Sequence, residues 1–302
     1  MKILDSVKLP KKSNCVFDNT GLDSYEKCLD KKHFISYPWK VIYNYNSRGF
    51  RDSEWPEKVT ELKKSIWCIG DSFTVGLGSP LRNTWPHILS EKTGCRTINV
   101  SMDGASNNWI YRQTKLIYDE IMPKTMVICW SFLHRREKNA YCVCLTEFLK
   151  FFDDIKDPLW ACIYSISDFN SLPLRIKKEV LLHHHHHANF NILYDEDFNI
   201  LDFECLDDEI LRTYTTSDSA YEDLENFRRC VQSVQHLRNC NIIHSVIPNF
   251  SDLKYHSDAL DILTETNCNF IGHFQNLDIA RDGFHFDKKH SIEMVNRILQ
   301  FI

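Results

Sequence analysis

Three short segments carry side chains whose types and spacing suit acyl-transfer chemistry. In GDSFTVG (Gly70 to Gly76), Ser72 follows directly on the apolar run SIWCIG (Ser65 to Gly70). A serine that leaves a buried strand and enters a helix can turn its hydroxyl to a crevice while its own N–H points at developing negative charge. The same residues also fit a plain turn followed by an N-cap. In SMDGASNNW (Ser101 to Trp109), Gly104 allows close approach of the backbone to a ligand and offers a second N–H donor. A simple connector ahead of a helix start near Asn107 or Asn108 is the other reading. In RDGFHFDKKH (Arg281 to His290), Asp282 and His285 stand three apart, just before the last apolar-periodic segment. That spacing lets a carboxylate hold one imidazole nitrogen while the other nitrogen faces a serine. The order Ser, Asp, His is compatible with a triad and does not by itself select a fold.

Such residues need elements to position them, and the pattern from residue 65 onward supplies strand-then-helix units. Strands are predicted at Ser65 to Gly70, Arg96 to Ser101, Thr125 to Phe132, Leu159 to Ile166 and Asn241 to Pro248, with a further one at Cys268 to Phe274. Helices are predicted at Thr84 to Lys92, closed by Gly94, and at Asn107 to Glu120, closed by Pro123. Others are predicted at Phe148 to Ile155, Ser219 to Arg238 and His290 to Ile302. The expected architecture is α/β: a three-layer α/β/α sandwich around a mostly parallel sheet. Residues 1–60 show little periodicity and read as an N-terminal extension packed on the core. The stretch 168–215 reads as an irregular insertion in the 61–302 domain.

The 302 residues are 43% hydrophobic and 25% charged, a globular composition, with a formal net charge of −5. There is no basic surplus to suggest nucleic acid, no apolar run of membrane-spanning length, and no apolar leader core in MKILDSVKLPKKSN. These features point to the cytoplasm for the chain as numbered. Twelve cysteines are scattered, and Cys68, Cys129 and Cys162 lie inside apolar runs, so reduced structural thiols are expected. Five adjacent histidines, His183 to His187, cannot all converge on one ion and read as a solvated tract, so no metal site is expected. Arg135 to Lys138 (RREK) reads as a solvated loop. In NSRGFRD (Asn46 to Asp52), Gly49 and Asp52 fit a plain turn. His290 reads as a helix-start residue rather than a second base.

GDSFTVG resembles the first block of the SGNH/GDSL hydrolases, SMDGAS resembles their glycine block, and DGFHFDKKHSIEMVNRIL resembles their C-terminal block. The resemblance covers residues 65–132 and about 280–302. It implies ester or acyl hydrolysis through an acyl-enzyme, without a cofactor, on a small-molecule or glycan acyl ester. Ser72 would attack, His285 would act as base and then acid, and Asp282 would orient the imidazole. The N–H groups of Ser72 and Gly104 would form the oxyanion hole. One block departs from the family. Where a Gly-x-Asn-Asp is usual after the third strand, this chain has CWSFLHRRE (Cys129 to Glu137), with no asparagine. Ser131, His134, Asn107 or Asn108 could substitute, or the hole has two donors. The departure leaves open a weak or inactive member that binds glycan or protein.

Overall fold

The computed structural model describes residues 4–19, 23, 32–133, 135–138, 141–143, 174, 190–197, 200–205, 218–248, 254–265 and 268–302. The chain divides into two compact units, residues 1–142 with 227–302, and residues 143–226. The helix expected at Phe148 to Ile155, the strand expected at Leu159 to Ile166 and the histidine tract lie outside the described residues.

In the larger unit the N-terminal segment gives a short antiparallel pair, β1 (Val16–Phe17) with β2 (Tyr43–Asn44), and two short helices, α1 (Lys32–Ser36) and α2 (Val59–Lys64). Then come β3 (Ile66–Gly70), α3 (Ser72–Val75), α4 (Trp85–Thr93), β4 (Thr97–Ser101), α5 (Asn107–Ile121) and β5 (Thr125–Trp130). Two short strands follow, β6 (Arg136–Lys138) and β7 (Tyr141–Val143). The smaller unit contains an antiparallel hairpin, β8 (Phe190–Tyr194) with β9 (Ile200–Cys205). This corrects the expectation of irregular structure there. Aromatic and β-branched residues flank a tight Asp195–Asp197 turn, in which the Asp195 carboxylate accepts the Asp197 N–H at 2.9 Å. Helix α6 (Asp218–Gln235) leads back to the larger unit, which closes with β10 (Asn241–Val246), α7 (Lys254–Glu265), β11 (Asn269–Phe270) and α8 (Lys288–Ile298).

Five strands form one parallel sheet in the order β11-β10-β5-β3-β4, flanked by helices. Every residue of β3 and β4 is buried, as strands covered on both faces require. The order reverses at β3, which pairs with β4 on one side and β5 on the other. In open α/β sheets such a switch point leaves a crevice beyond the strands' carboxyl ends. The loops after β3, β4 and β5 carry Ser72, Gly104 and Ser131, so the topology alone gathers these candidates at one edge.

The helix ends follow local chemistry. α4 stops at Gly94 and α5 at Met122, both left-handed, with the cap N–H groups returned to Ser90 and Tyr118. α5 starts on Ser106, whose hydroxyl accepts the Trp109 N–H. α8 is capped from outside its own first turn. Asp278 accepts the N–H groups of Asp287 (3.1 Å), Lys289 (2.7 Å) and His290 (3.1 Å), satisfying orphan donors and placing negative charge at the positive helix end.

Two buried histidines are held neutral. The His244 Nδ1 on β10 accepts the Trp130 indole N–H at 3.0 Å, and burial pushes its pKa down to about 4. His290 is a helix-start residue, as expected, with its ring stacked between Phe274 (4.3 Å) and Phe286 (4.2 Å). Burial, then the charge of Arg297 and His273, pushes its pKa down to about 3. Both folded values lie below the ordinary 6.5, so the stability they contribute is complete above about pH 6.5 and is lost as pH falls. The slope is up to about 1.4 kcal/mol per pH unit for each group. Replacing His290 by Phe keeps the stack, and should make the decline in melting temperature between pH 6.5 and 5 shallower. A melting-temperature profile unchanged from wild type would exclude His290 as one of the titrating groups.

Candidate active site

The turn that carries Ser72 is built by the residue before it. The Asp71 carboxylate accepts the Phe73 N–H at 3.0 Å, and its carbonyl accepts the N–H groups of Thr74 and Val75, both at 2.9 Å. These bonds hold the single turn α3, with Ser72 at its first position and buried. Gly-Asp-Ser is thus a turn with an N-cap, and the turn aims the serine inward.

Ser72 meets His285 from 213 residues away, with its Oγ 2.9 Å from the imidazole Nε2. The other ring nitrogen, Nδ1, lies 2.5 Å from Asp282 Oδ2. Asp282 Oδ1 accepts the N–H groups of Phe284 and His285 at 2.9 and 3.0 Å, so the carboxylate builds the turn that presents the imidazole. Burial raises the Asp282 carboxyl, but the His285 charge and hydrogen bond, together with the two N–H donors, outweigh it. They hold its pKa below 3.8. Phe73 and Phe284 stand 4.6 and 4.8 Å from the His285 ring and wall it in.

The candidate oxyanion donors divide into two groups. Among the described residues, the N–H groups of Ser72 and Gly104 have no acceptor. Gly104 has φ +70°, and the space beside its Cα is open to 4 Å. The side-chain substitutes for the absent asparagine are engaged elsewhere. Asn107 accepts the Ser131 N–H at 2.8 Å and donates to the Ser131 and Phe132 carbonyls, so its amide clamps the end of β5. The Ser131 hydroxyl donates to Asp71 at 2.7 Å. Asn108 Oδ1 lies 3.5 Å from Cys230 Sγ. His134 lies outside the described residues. No group of metal-ligand type clusters among the described residues.

Two buried arginines lie beside these residues. Arg135 is not in a solvated loop. It is 5% exposed, and it donates to Asp71 at 2.6 Å and to the Ser131 hydroxyl at 2.8 Å. Arg51 of NSRGFRD is 1% exposed and stacks 4.3 Å over the Tyr43 ring. Its donors reach the carbonyls of Val75 (3.1 Å), Gly76 (2.5 Å), Ser79 (2.7 Å) and Ile42 (3.3 Å). Asp52 is more than a turn residue, pairing with Arg96 at 2.9 Å and accepting the Asn99 N–H of β4 at 3.1 Å. The Arg51-braced loop touches the turn of Asp282. The Gly78 carbonyl accepts the Arg281 N–H at 3.0 Å, and a Cβ on Gly78 would stand 2.9 Å from the Asp282 carboxyl. The Gly78 N–H donates to the Tyr43 hydroxyl, which donates to Asp23, and Asp23 in turn pairs with Arg281.

No protein-family model matches the chain, and no curated protein is significantly similar to it. Solved structures similar to it include the esterase EstA from Pseudoalteromonas sp., in a form inhibited by monoethylphosphonate. It is 14% identical over 79% of this chain and 96% of that one, with a TM-score of 0.40. TesA is 10% identical over 78% and 97%, TM-score 0.41. A GDSL-like lipase from Bacteroides thetaiotaomicron is 10% identical over 82% and 90%, TM-score 0.38.

Replacing Arg51 with Met would take the donor from the buried Val75 and Ser79 carbonyls, at about 1–3 kcal/mol each where no water enters, while the Gly76 carbonyl keeps the Ser79 N–H. A loss on the order of 3 kcal/mol or more in urea unfolding is expected, with Arg51→Lys intermediate. A midpoint for Arg51→Met equal to wild type would show that the carbonyls find other donors.

Proposed function

We propose that the chain is a serine hydrolase of the SGNH/GDSL type that cleaves an ester or acetyl group through an acyl-enzyme. The reading rests on one observation above all: a buried Ser72–His285–Asp282 relay at hydrogen-bond distances, assembled from two ends of the chain. His285 Nε2 takes the Ser72 proton as Oγ attacks the substrate carbonyl, and the tetrahedral oxyanion forms against the N–H groups of Ser72 and Gly104. The imidazolium is stabilised by Asp282 and returns the proton to the leaving alcohol. Water then enters by the same route in reverse, releasing the acid and restoring Ser72.

Among the described residues no side chain adds a third donor to the N–H groups of Ser72 and Gly104, a leaner hole than the family pattern. One lost donor typically costs about 3–4 kcal/mol of barrier, so turnover should be modest. An imidazole within reach of the hydroxyl favours catalysis over the non-catalytic binding role on the same scaffold. The substrate class remains the small-molecule or glycan acyl ester that the sequence motifs imply.

Ser72→Ala should abolish both hydrolysis of a short p-nitrophenyl ester and labelling by a fluorophosphonate probe. Asp282→Asn, which leaves the imidazole in the wrong tautomer, should lower kcat by about 10⁴-fold. Full-strength labelling of the Ser72→Ala protein would remove the nucleophile assignment.

A further inference from the structure

We infer that Arg135 is a positioning residue for the nucleophile, acting through Asp71 at the place where the family's asparagine-bearing block is missing. The inference rests on the hydrolase reading above.

The Asp71 carboxylate is fully buried and lies next in sequence to Ser72. One oxygen is committed to the Phe73 N–H, so it cannot move without loosening the turn that aims Ser72. The other oxygen takes the Ser131 hydroxyl and one Arg135 nitrogen, and that same nitrogen also reaches the Ser131 hydroxyl. The three side chains close a small triangle behind the nucleophile. Ser131 itself is pinned through its backbone by Asn107, at the start of α5. The ends of β3 and β5 and the start of α5 are thereby joined by polar contacts centred on one carboxylate.

The charges explain why the cation is needed. Burial pushes the Asp71 pKa up, with Arg135 the largest opposing influence, followed by the hydrogen bonds from Ser131 and Phe73 and then the His285 charge. Without Arg135 the carboxylate would be a buried, poorly compensated anion beside a site that must develop negative charge on the substrate oxygen. It would have to protonate, or turn toward the histidine and release the Phe73 N–H. Either change reaches Ser72 through the backbone, with no contact to substrate. A buried ion pair is weak evidence for added stability, since an apolar pair of similar volume often serves as well. The contacts here are instead arranged around the Ser72 turn.

The test uses the full chain, with p-nitrophenyl acetate and a fluorophosphonate as probes and urea unfolding as a check of folding. Folded Arg135→Met protein should lose about 10- to 100-fold in kcat and in labelling rate, with KM within about twofold of wild type. Arg135→Lys keeps the charge on a shorter side chain without the guanidinium plane, so its nitrogen is less well placed for Asp71 and Ser131, and it should recover part of that loss. Wild-type kcat in folded Arg135→Met protein, or a loss confined to KM, would overturn the inference. Should Arg135→Met fail to fold, Arg135→Lys carries the test alone. A drop of about three- to tenfold in its kcat at unchanged KM is expected, and wild-type kcat would overturn the inference. A wild-type protein inert to both probes would instead count against the Ser72 reading itself, so the two failures are distinguishable.

Discussion

The loop that leaves α3 points several carbonyls inward, and the buried Arg51 guanidinium donates to them. Val75 and Gly76 end α3, and Ser79 lies just beyond, so one planar cation gathers the carbonyls on both sides of the bend. Its hydrogen bonds all go to neutral oxygens, and a buried charge held this way is tolerated only while the geometry is kept. That constraint passes outward, because the same loop packs through Gly78 against the turn bearing Asp282. The serine half and the acid–histidine half of the site are therefore set against a common brace supplied by the N-terminal segment.

The sheet was legible in the sequence because its strands are buried on both faces and read as short apolar runs. β3, β4 and β5 begin or end within a residue or two of the predicted bounds. Strand β11 is two residues long where seven were expected, since an apolar run does not reveal where the neighbouring strand stops pairing. Helices α2 and α7 were missed: α2 is a single short segment among charged residues, and α7 opens on a mostly polar run, with Leu260, Ile262 and Leu263 confined to its second half. The site was legible where chemistry sits in a local motif, as in Gly-Asp-Ser and Asp-x-x-His. It was illegible where one charged side chain is buried by partners far along the chain. Arg51 and Arg135 look like any surface arginine, and only the folded geometry brings them to Val75 or Asp71.

The departure after β5 also takes a different form from the one its sequence suggested. Asn107 instead binds the Ser131 backbone, the Ser131 hydroxyl binds Asp71, and Arg135 completes that group. These side chains are committed to one another and to the turn of Ser72. On the hydrolase reading proposed above, that would exchange a hydrogen-bond donor for preorganisation of the backbone N–H groups.

The Asp278 cap has a consequence for motion. One carboxylate ties the loop at residue 278 to three amides at the head of α8, so residues 278–290 form a fastened ring of chain with Asp282 and His285 inside it. Such a segment does not fray one amide at a time. It opens as a unit when the clasp releases, so the amides of Asp287, Lys289 and His290 should exchange with solvent together, on a common clock with the loss of the histidine from its serine.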